Sequence, residues 1–375
     1  MNPATTEFVR QRFAEYYHKA MLVSPSSLAQ REWGFVLFNP GAAEMRMRRH
    51  IGFTDRAELF DYIKNLVPSH LYYSTAYYEK PDAPTMAEKG WCGADLIFDL
   101  DADHIVKGPY DQMLARVKTE TEKLLAMLTG ELGIDQKQIE LVFSGGRGYH
   151  VHVKDLAFRG WGSAERRELV DYICGIGLDP AILLNGPSSS SGWPGRLSEA
   201  LIEYLTWLGR QSEEEAMVYL TSLEGVGKES AAGFLRKRTE MIEGLRGQVD
   251  PTILKDRVIK TVVHETEGEF RKRLNDRAAL ADEPVTTDTK RLIRMPTSLH
   301  GGSGMRVQPL EVRNLHEFDP LVDAVVFSTR EVKVDSRFPL AMPMLGSTYQ
   351  IPKGISTVPE AVAVFLCCRG IAEIA

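Results

Sequence analysis

The sequence predicts a mixed α/β fold of the α+β kind with an inserted helical subdomain, and three observations carry that expectation. Strand and helix patterns alternate between residues 96 and 153, and a charged, helix-patterned stretch runs from 163 to 259. Strand signals then return in the segment 291–310, so the α/β part resumes after the insertion. The expected division is a first part of the α/β core over 1–160, a helical subdomain over 161–260, a second part of the core over 261–350 and a C-terminal segment over 351–375.

Each element follows from its local pattern. EFVRQRFAEYYHKAM (7–21) repeats apolar residues at helical spacing, breaks at SPSS and gives way to the β-rich run REWGFVLF. A helix is expected around Asp55 to Leu66. In WCGADLIFDLDADH, Leu96, Phe98 and Leu100 alternate with Asp95, Ile97, Asp99 and Asp101, so one face of a strand is core and the other carries carboxylates. From Tyr110 to Leu132 the residues Met113, Leu114, Val117, Leu124, Leu125 and Leu128 mark a helix, which Gly133 is placed to end. IELVFSGGRGYHVHV follows, an apolar run closed by a Ser-Gly-Gly turn and answered by Tyr149, Val151 and Val153 alternating with His150 and His152. NGPSSSSGWPG (185–195) reads as a flexible connection within the helical part. RLIRMPTSLHGGSGMRVQPL reads as a hairpin turned by Gly301, Gly302 and Gly304.

Composition bounds the function. With 375 residues and 43% hydrophobic side chains, the chain can bury a full core. Its 45 Lys and Arg against 51 Asp and Glu give a net charge of -6, so a nucleic-acid partner would have to be met by local basic patches. Cys92, Cys174, Cys367 and Cys368 form no C-x-x-C pair, which argues against a zinc ribbon and a disulfide framework. The N-terminal stretch has no uninterrupted apolar core of a signal peptide, and the run AVAVFLCC (361–368) is far short of the ~20 residues of a spanning helix. A cytoplasmic protein without membrane attachment is expected.

The chemistry concentrates in two places. Asp99 and Asp101, at i and i+2 of a strand, project from one face with Cα atoms about 6.5 Å apart, a spacing at which two carboxylates can bridge divalent cations. D-x-D also fits the polar end of a strand entering a loop. The second place is the turn SGGRGYH, where small residues let backbone approach a ligand and Ser144, Arg147 and His150 add a hydroxyl, a guanidinium and an imidazole. These groups suit a triphosphate beside metal-binding carboxylates, whereas His152 reads as an ordinary core histidine.

FDLDADH, SGGRGYHVHV and RLIRMPTSLHGGSG, in that order, resemble the catalytic small subunit of the archaeal and eukaryotic type of DNA primase, and the likeness extends to REWGF, RMRRHIGF and YYSTAYYEKP. The resemblance implies template-directed nucleotide polymerisation without a primer, on a primase catalytic core whose sheet is similar to an RNA-recognition motif. It implies Mg²⁺ or Mn²⁺ held by Asp99, Asp101 and a third carboxylate. Of the two aspartates before the last motif, Asp282 and Asp288, the family register favours Asp282. Ser144, Arg147 and His150 match the family's triphosphate-binding turn. Arg294 and His300 match the basic residue and histidine of the last motif, and Arg49 matches a basic residue near the incoming nucleotide.

One departure stands out. Residues 102–143, where many members carry a Cys/His zinc module, contain no cysteine and only His104, so no structural zinc is expected. The resemblance further implies nucleoside triphosphates and a single-stranded DNA template as substrates, and a heterodimer with a primase large subunit that bears an iron-sulfur cluster. RMRRH (46–50) and the two RKR runs at 236–238 and 271–273 are the places for template contact. Rival readings are a primase-polymerase or repair polymerase of the same superfamily, a metal-dependent phosphoesterase, and a non-catalytic replication subunit.

Overall fold

The computed structural model describes residues 1–38, 46–105, 108–185, 189–246 and 252–375, with the side chains of Asp103 and His104 also outside the description. The chain forms two compact units. One comprises Met1–Glu122, Ile134–Glu168 and Ala281–Ala375, and the other comprises Lys123–Gly133 and Leu169–Leu280.

The first unit is mixed α/β. Its opening helix, Pro3–Lys19, starts where the Asn2 side chain accepts the Thr5 amide at 2.8 Å and Pro3 occupies the first turn. It buries Val9, Phe13 and Tyr17, one per turn, against the core formed with Trp33, Phe35, Leu71 and Tyr73. The chain then lays down β1 (Trp33–Leu37), β2 (Met47–Ile51), the helix Arg56–Leu66, β3 (Pro68–Ser74), β4 (Ala76–Tyr78), β5 (Trp91–Ala94) and β6 (Leu96–Asp101). After the helix Tyr110–Gly130 come β7 (Ile139–Phe143) and β8 (Gly148–Val153), and later β9 (Leu292–Arg294) and β10 (Gln308–Leu310). Two four-stranded sheets result, ordered β2-β1-β3-β9 and β10-β7-β8-β6. In the second, β6 lies antiparallel to β8 with Asp99 opposite His150 and Asp101 opposite Gly148. The strands β11 (Glu331–Ser336), β12 (Leu340–Met344), β13 (Ser347–Ile351), β14 (Gly354–Pro359) and β15 (Ala372–Ile374), with the helix Glu360–Cys368, complete the unit.

Two local expectations change. The hairpin expected in 291–310 is confined to its glycine turn: β9 pairs with β3 and β10 with β7, so the two outer strand signals belong to different sheets. Around the turn, Leu299 bridges Arg306, the His300 amide donates to the Met305 carbonyl at 2.9 Å, and the Thr297 amide donates to the Val307 carbonyl at 2.7 Å. Alternation encodes that a segment is extended, and it leaves the choice of partner to tertiary packing. Likewise the helix Gly192–Leu208 begins inside the expected flexible connection, because Trp193 is buried and Pro194 falls in a first turn, where its missing N–H costs nothing; residues 186–188 lie outside the described ones.

The second unit is helical, with its core built by Leu197, Leu201, Tyr204, Leu205, Phe234, Ile259 and Phe270. Glu131 joins Arg196 there in a bidentate ion pair and accepts the Tyr172 hydroxyl at 2.6 Å.

Candidate active site

The site lies in the first unit, at the end of β6 and the start of β8. β6 has Phe98 and Leu100 in the core, which turns Asp99 and Asp101 to the other face of the strand. The turn Ser144–Gly148 connects β7 to β8 and is closed by Ser144: its Oγ accepts the Gly146 and Gly148 amides at 3.3 Å, and its own N–H donates to the Gly148 carbonyl at 2.9 Å. Glycine is required here. Gly145 sits at φ +76° with space for a Cβ taken by the His300 Cβ at 2.8 Å, and a Cβ on Gly148 would stand 2.2 Å from the Leu100 carbonyl oxygen. The turn is pinned from outside by the Ser303 and Tyr110 hydroxyls, which donate to the Gly145 and Gly146 carbonyls.

Asp99, Asp101, Ser144, Arg147, His150, Arg294 and His300 all border one cavity of about 310 Å³. His70, Tyr110, Gly146, Gly302, Ser303 and Arg369 complete its wall. Burial first, and then the neighbouring carboxylates of Asp101 and Asp282, push the Asp99 carboxyl up to about 7, against the pull of Arg291 and Arg294. His150 Nε2 stands 3.7 Å from Asp99 Oδ1, and His150 is held well below the ordinary imidazole range by burial and by His152, Arg294 and Arg291. His300 is likewise kept neutral, by burial and then by Arg294, His70, Arg369 and Arg147. Its Nδ1 accepts the Gly302 amide at 3.1 Å, which leaves the proton on Nε2, beside Gly146.

Asp282 and Arg49 do not border the cavity. Asp282 precedes the short helix Glu283–Thr287 and donates its N–H to the Asp99 carbonyl at 2.8 Å. Its carboxylate makes no capping bond although it occupies the N-cap position, and its charge reaches Asp99. Asp288, in contrast, accepts the Lys290 amide at 2.9 Å. Arg49 on β2 clasps Glu32 with Nε at 3.0 Å and Nη2 at 3.3 Å. Glu32 is fully buried, with Lys89 Nζ 3.7 Å away, so the Arg49 guanidinium serves a buried carboxylate. His152 is fully buried on the same face of β8 as His150, with the two ring centroids 6.1 Å apart, and borders no part of the cavity.

His70, Tyr110, Ser303 and Arg369 escaped the motif reading. His70 lies in SHLYYS, where alternation along β3 was a usable signal, whereas nothing around Arg369 announces a ligand contact. Arg294 owes its orientation to His70, whose Nδ1 stands 3.1 Å from Nη1, and to the Tyr72 hydroxyl and ring.

Among the described residues no three or more His, Cys, Asp or Glu side chains gather into a metal-binding group. Mg²⁺ needs fewer, because it usually takes one or two protein carboxylates and completes its shell with substrate phosphates and water. Asp99 and Asp101, both half-buried at the end of β6, fit such a cation. No helix of the described residues is long and apolar enough to cross a membrane.

Residues 98–312 match the family described as DNA primase small subunit. The chain is 85% identical to the DNA primase small subunit PriS of Methanoregula boonei over the whole of both chains. It is 57% identical to that of Methanosphaerula palustris, covering all of this chain and 99% of the relative, and 52% identical to that of Methanospirillum hungatei, covering 100% and 98%. With the family match spanning the carboxylate strand, the serine-glycine turn and the last motif that together line the cavity, the chain belongs to the DNA primase small subunit family, nucleotidyltransferases of DNA replication.

Proposed function

We propose that this chain builds short RNA primers de novo on single-stranded DNA, joining nucleoside triphosphates in the cavity bordered by Asp99, Arg147 and His300, with Mg²⁺ or Mn²⁺ held by Asp99, Asp101 and Asp282. The observation that carries the reading is the polarity of one cavity: carboxylates at the end of β6, cations and donors on the glycine turn and the 294–303 segment. Divalent cations, when bound at the carboxylates, activate the attacking hydroxyl and offset charge on the reacting phosphate. In the reaction a 3′ oxygen forms a bond to the α-phosphorus while the bond to the pyrophosphate breaks, and negative charge grows on the leaving group.

The chain's own residues meet that charge. Arg147 and Arg294 supply guanidinium groups that pair with phosphate oxygens, and His300, with its proton on Nε2, donates without carrying a full charge into a buried place. Gly145, Gly146 and Gly148 keep the turn thin enough for phosphate to approach. Arg49 acts indirectly, by holding Glu32 and the β1–β2 edge in place.

With a net charge of -6, the template has to be drawn to local basic surfaces. Arg46 and Arg48 lie exposed on and beside β2 and fit this need best, while the runs at 236–238 and 271–273 lie on helices of the other unit. The relatives' name as small subunits supports a heterodimer with a large subunit.

The test is synthesis on unprimed single-stranded DNA with Mg²⁺ or Mn²⁺, with labelled ribonucleotides and deoxynucleotides supplied in parallel. Short ribonucleotide products support the reading. Preference for deoxynucleotides would move it to a primase-polymerase, and no product even with the large subunit added would sink it.

A further inference from the structure

One wall of the cavity comes from a part of the chain beyond residue 312, where the family match ends. Arg369 follows the helix Glu360–Cys368, whose residues from Glu360 to Cys367 are all buried. The helix is anchored at both ends. Glu360 pairs with Arg12 and Arg330 and accepts the Ser328 hydroxyl, while Gly370 at φ +68° and the bond from the Ile371 amide to the Leu366 carbonyl stop the helix. The exposed guanidinium of Arg369 is thereby carried to the cavity rim on a rigid base, where it lies 5.6 Å from the Tyr110 ring centroid. Tyr110 in turn packs edge-on against Phe365 and donates to the Gly146 carbonyl of the glycine turn.

The cavity's cations come from separate elements. Arg294 lies on β9, held by His70 and Tyr72, whereas Arg369 stands by Tyr110, whose hydroxyl donates to the Gly146 carbonyl, and so borders the glycine turn that carries Arg147. A nucleotide whose α-phosphate lies at the carboxylates of β6 would carry its terminal phosphate along the glycine turn toward Arg369. We propose that Arg369 is a further nucleotide-binding residue, gripping the terminal phosphate of the incoming nucleoside triphosphate from the end of the C-terminal helix. The proposal rests on the cavity being the nucleotide site. A guanidinium fits a phosphate's paired oxygens, and an arginine placed here rewards the triphosphate over shorter nucleotides.

The test is calorimetric titration of the full chain, in Mg²⁺, with ATP, AMP and inorganic triphosphate, for wild type, Arg369→Met and Arg369→Lys, with thermal midpoints as the folding check. Loss of one charged pair of hydrogen bonds is expected to weaken ATP and inorganic triphosphate about tenfold in Arg369→Met and to leave AMP within about twofold, with Arg369→Lys falling between. Should Arg369→Met fail to fold, the lysine variant decides by the same ratio of triphosphate to AMP affinity. An equal loss for all three ligands would make Arg369 a prop for Tyr110 and overturn the proposal, as would unchanged affinities. If the wild type binds neither ATP nor inorganic triphosphate, the cavity reading falls too; if it binds both and the variants match it, Arg369 alone is excluded.

Discussion

Asp282 and Asp288 are both aspartates flanking one short helix, and what separates them is how each side chain is spent. Asp288 closes a turn on the Lys290 amide, whereas Asp282 leaves its N-cap bond unmade while its charge bears on Asp99. Asp282→Asn is therefore expected to lower primer synthesis by about 10–100-fold, the scale on which losing a group that supports a metal site is felt, with Asp288→Asn near wild type. Equal losses in the two would contradict the assignment. Arg49 teaches the opposite lesson. Its place in RMRRHIGF pointed to the nucleotide, but its partner is Glu32, buried seventeen residues earlier, and no local pattern encodes that pairing. Arg49→Ala is expected to cost about 1–3 kcal/mol in chemical denaturation, less than a fully orphaned buried charge because Lys89 remains beside Glu32. An unchanged denaturation midpoint would show that the pair is not holding the fold.

At the scale of elements, β6 and the glycine turn were legible because alternation and consecutive small residues are local properties. Their pairing was not: the register that sets Asp99 across from His150, and the parting of β9 and β10 into separate sheets, depend on contacts far apart in sequence. The sharpest constraint in this region is Gly148, where the neighbouring Leu100 carbonyl leaves no room for a methyl group. Gly148→Ala should destabilise the protein by about 1–3 kcal/mol through overpacking and forced separation of β6 from β8, and should reduce primer synthesis beyond the loss of folded protein. Gly133→Ala is a comparison with open space around it, in which only the positive φ of 67° is strained. A Gly148→Ala variant as stable and active as wild type would refute the role given to the turn.

On the scale of the whole molecule, several imidazoles are kept neutral by burial. His70 is pulled down to about 3 and His152 to about 4, burial being the larger cause in each, with Arg294 opposing protonation of His70. Each folded-state value lies below the unfolded value of about 6.5, so the unfolded chain takes up protons first as pH falls. The contribution of these imidazoles is thus fully present above pH 6.5 and drains away as pH drops from there toward 4. His152→Gln, at a position outside the cavity, should flatten the fall of the thermal midpoint between pH 7 and 5, and an unaltered slope would argue against a buried neutral imidazole there. The net charge of -6 hides cations gathered at one cavity, which Arg369 reaches from the end of a buried C-terminal helix.

The central claim is that Asp99 and Asp101 make the first bond of a new strand. The measurement that tests it most directly is dinucleotide formation from two ribonucleoside triphosphates on unprimed single-stranded DNA, comparing wild type with an Asp99→Ala/Asp101→Ala variant of matched thermal stability. The account predicts dinucleotide from the wild type and none above background from the double variant. Dinucleotide from both at similar rates would contradict it and move the reaction away from the end of β6.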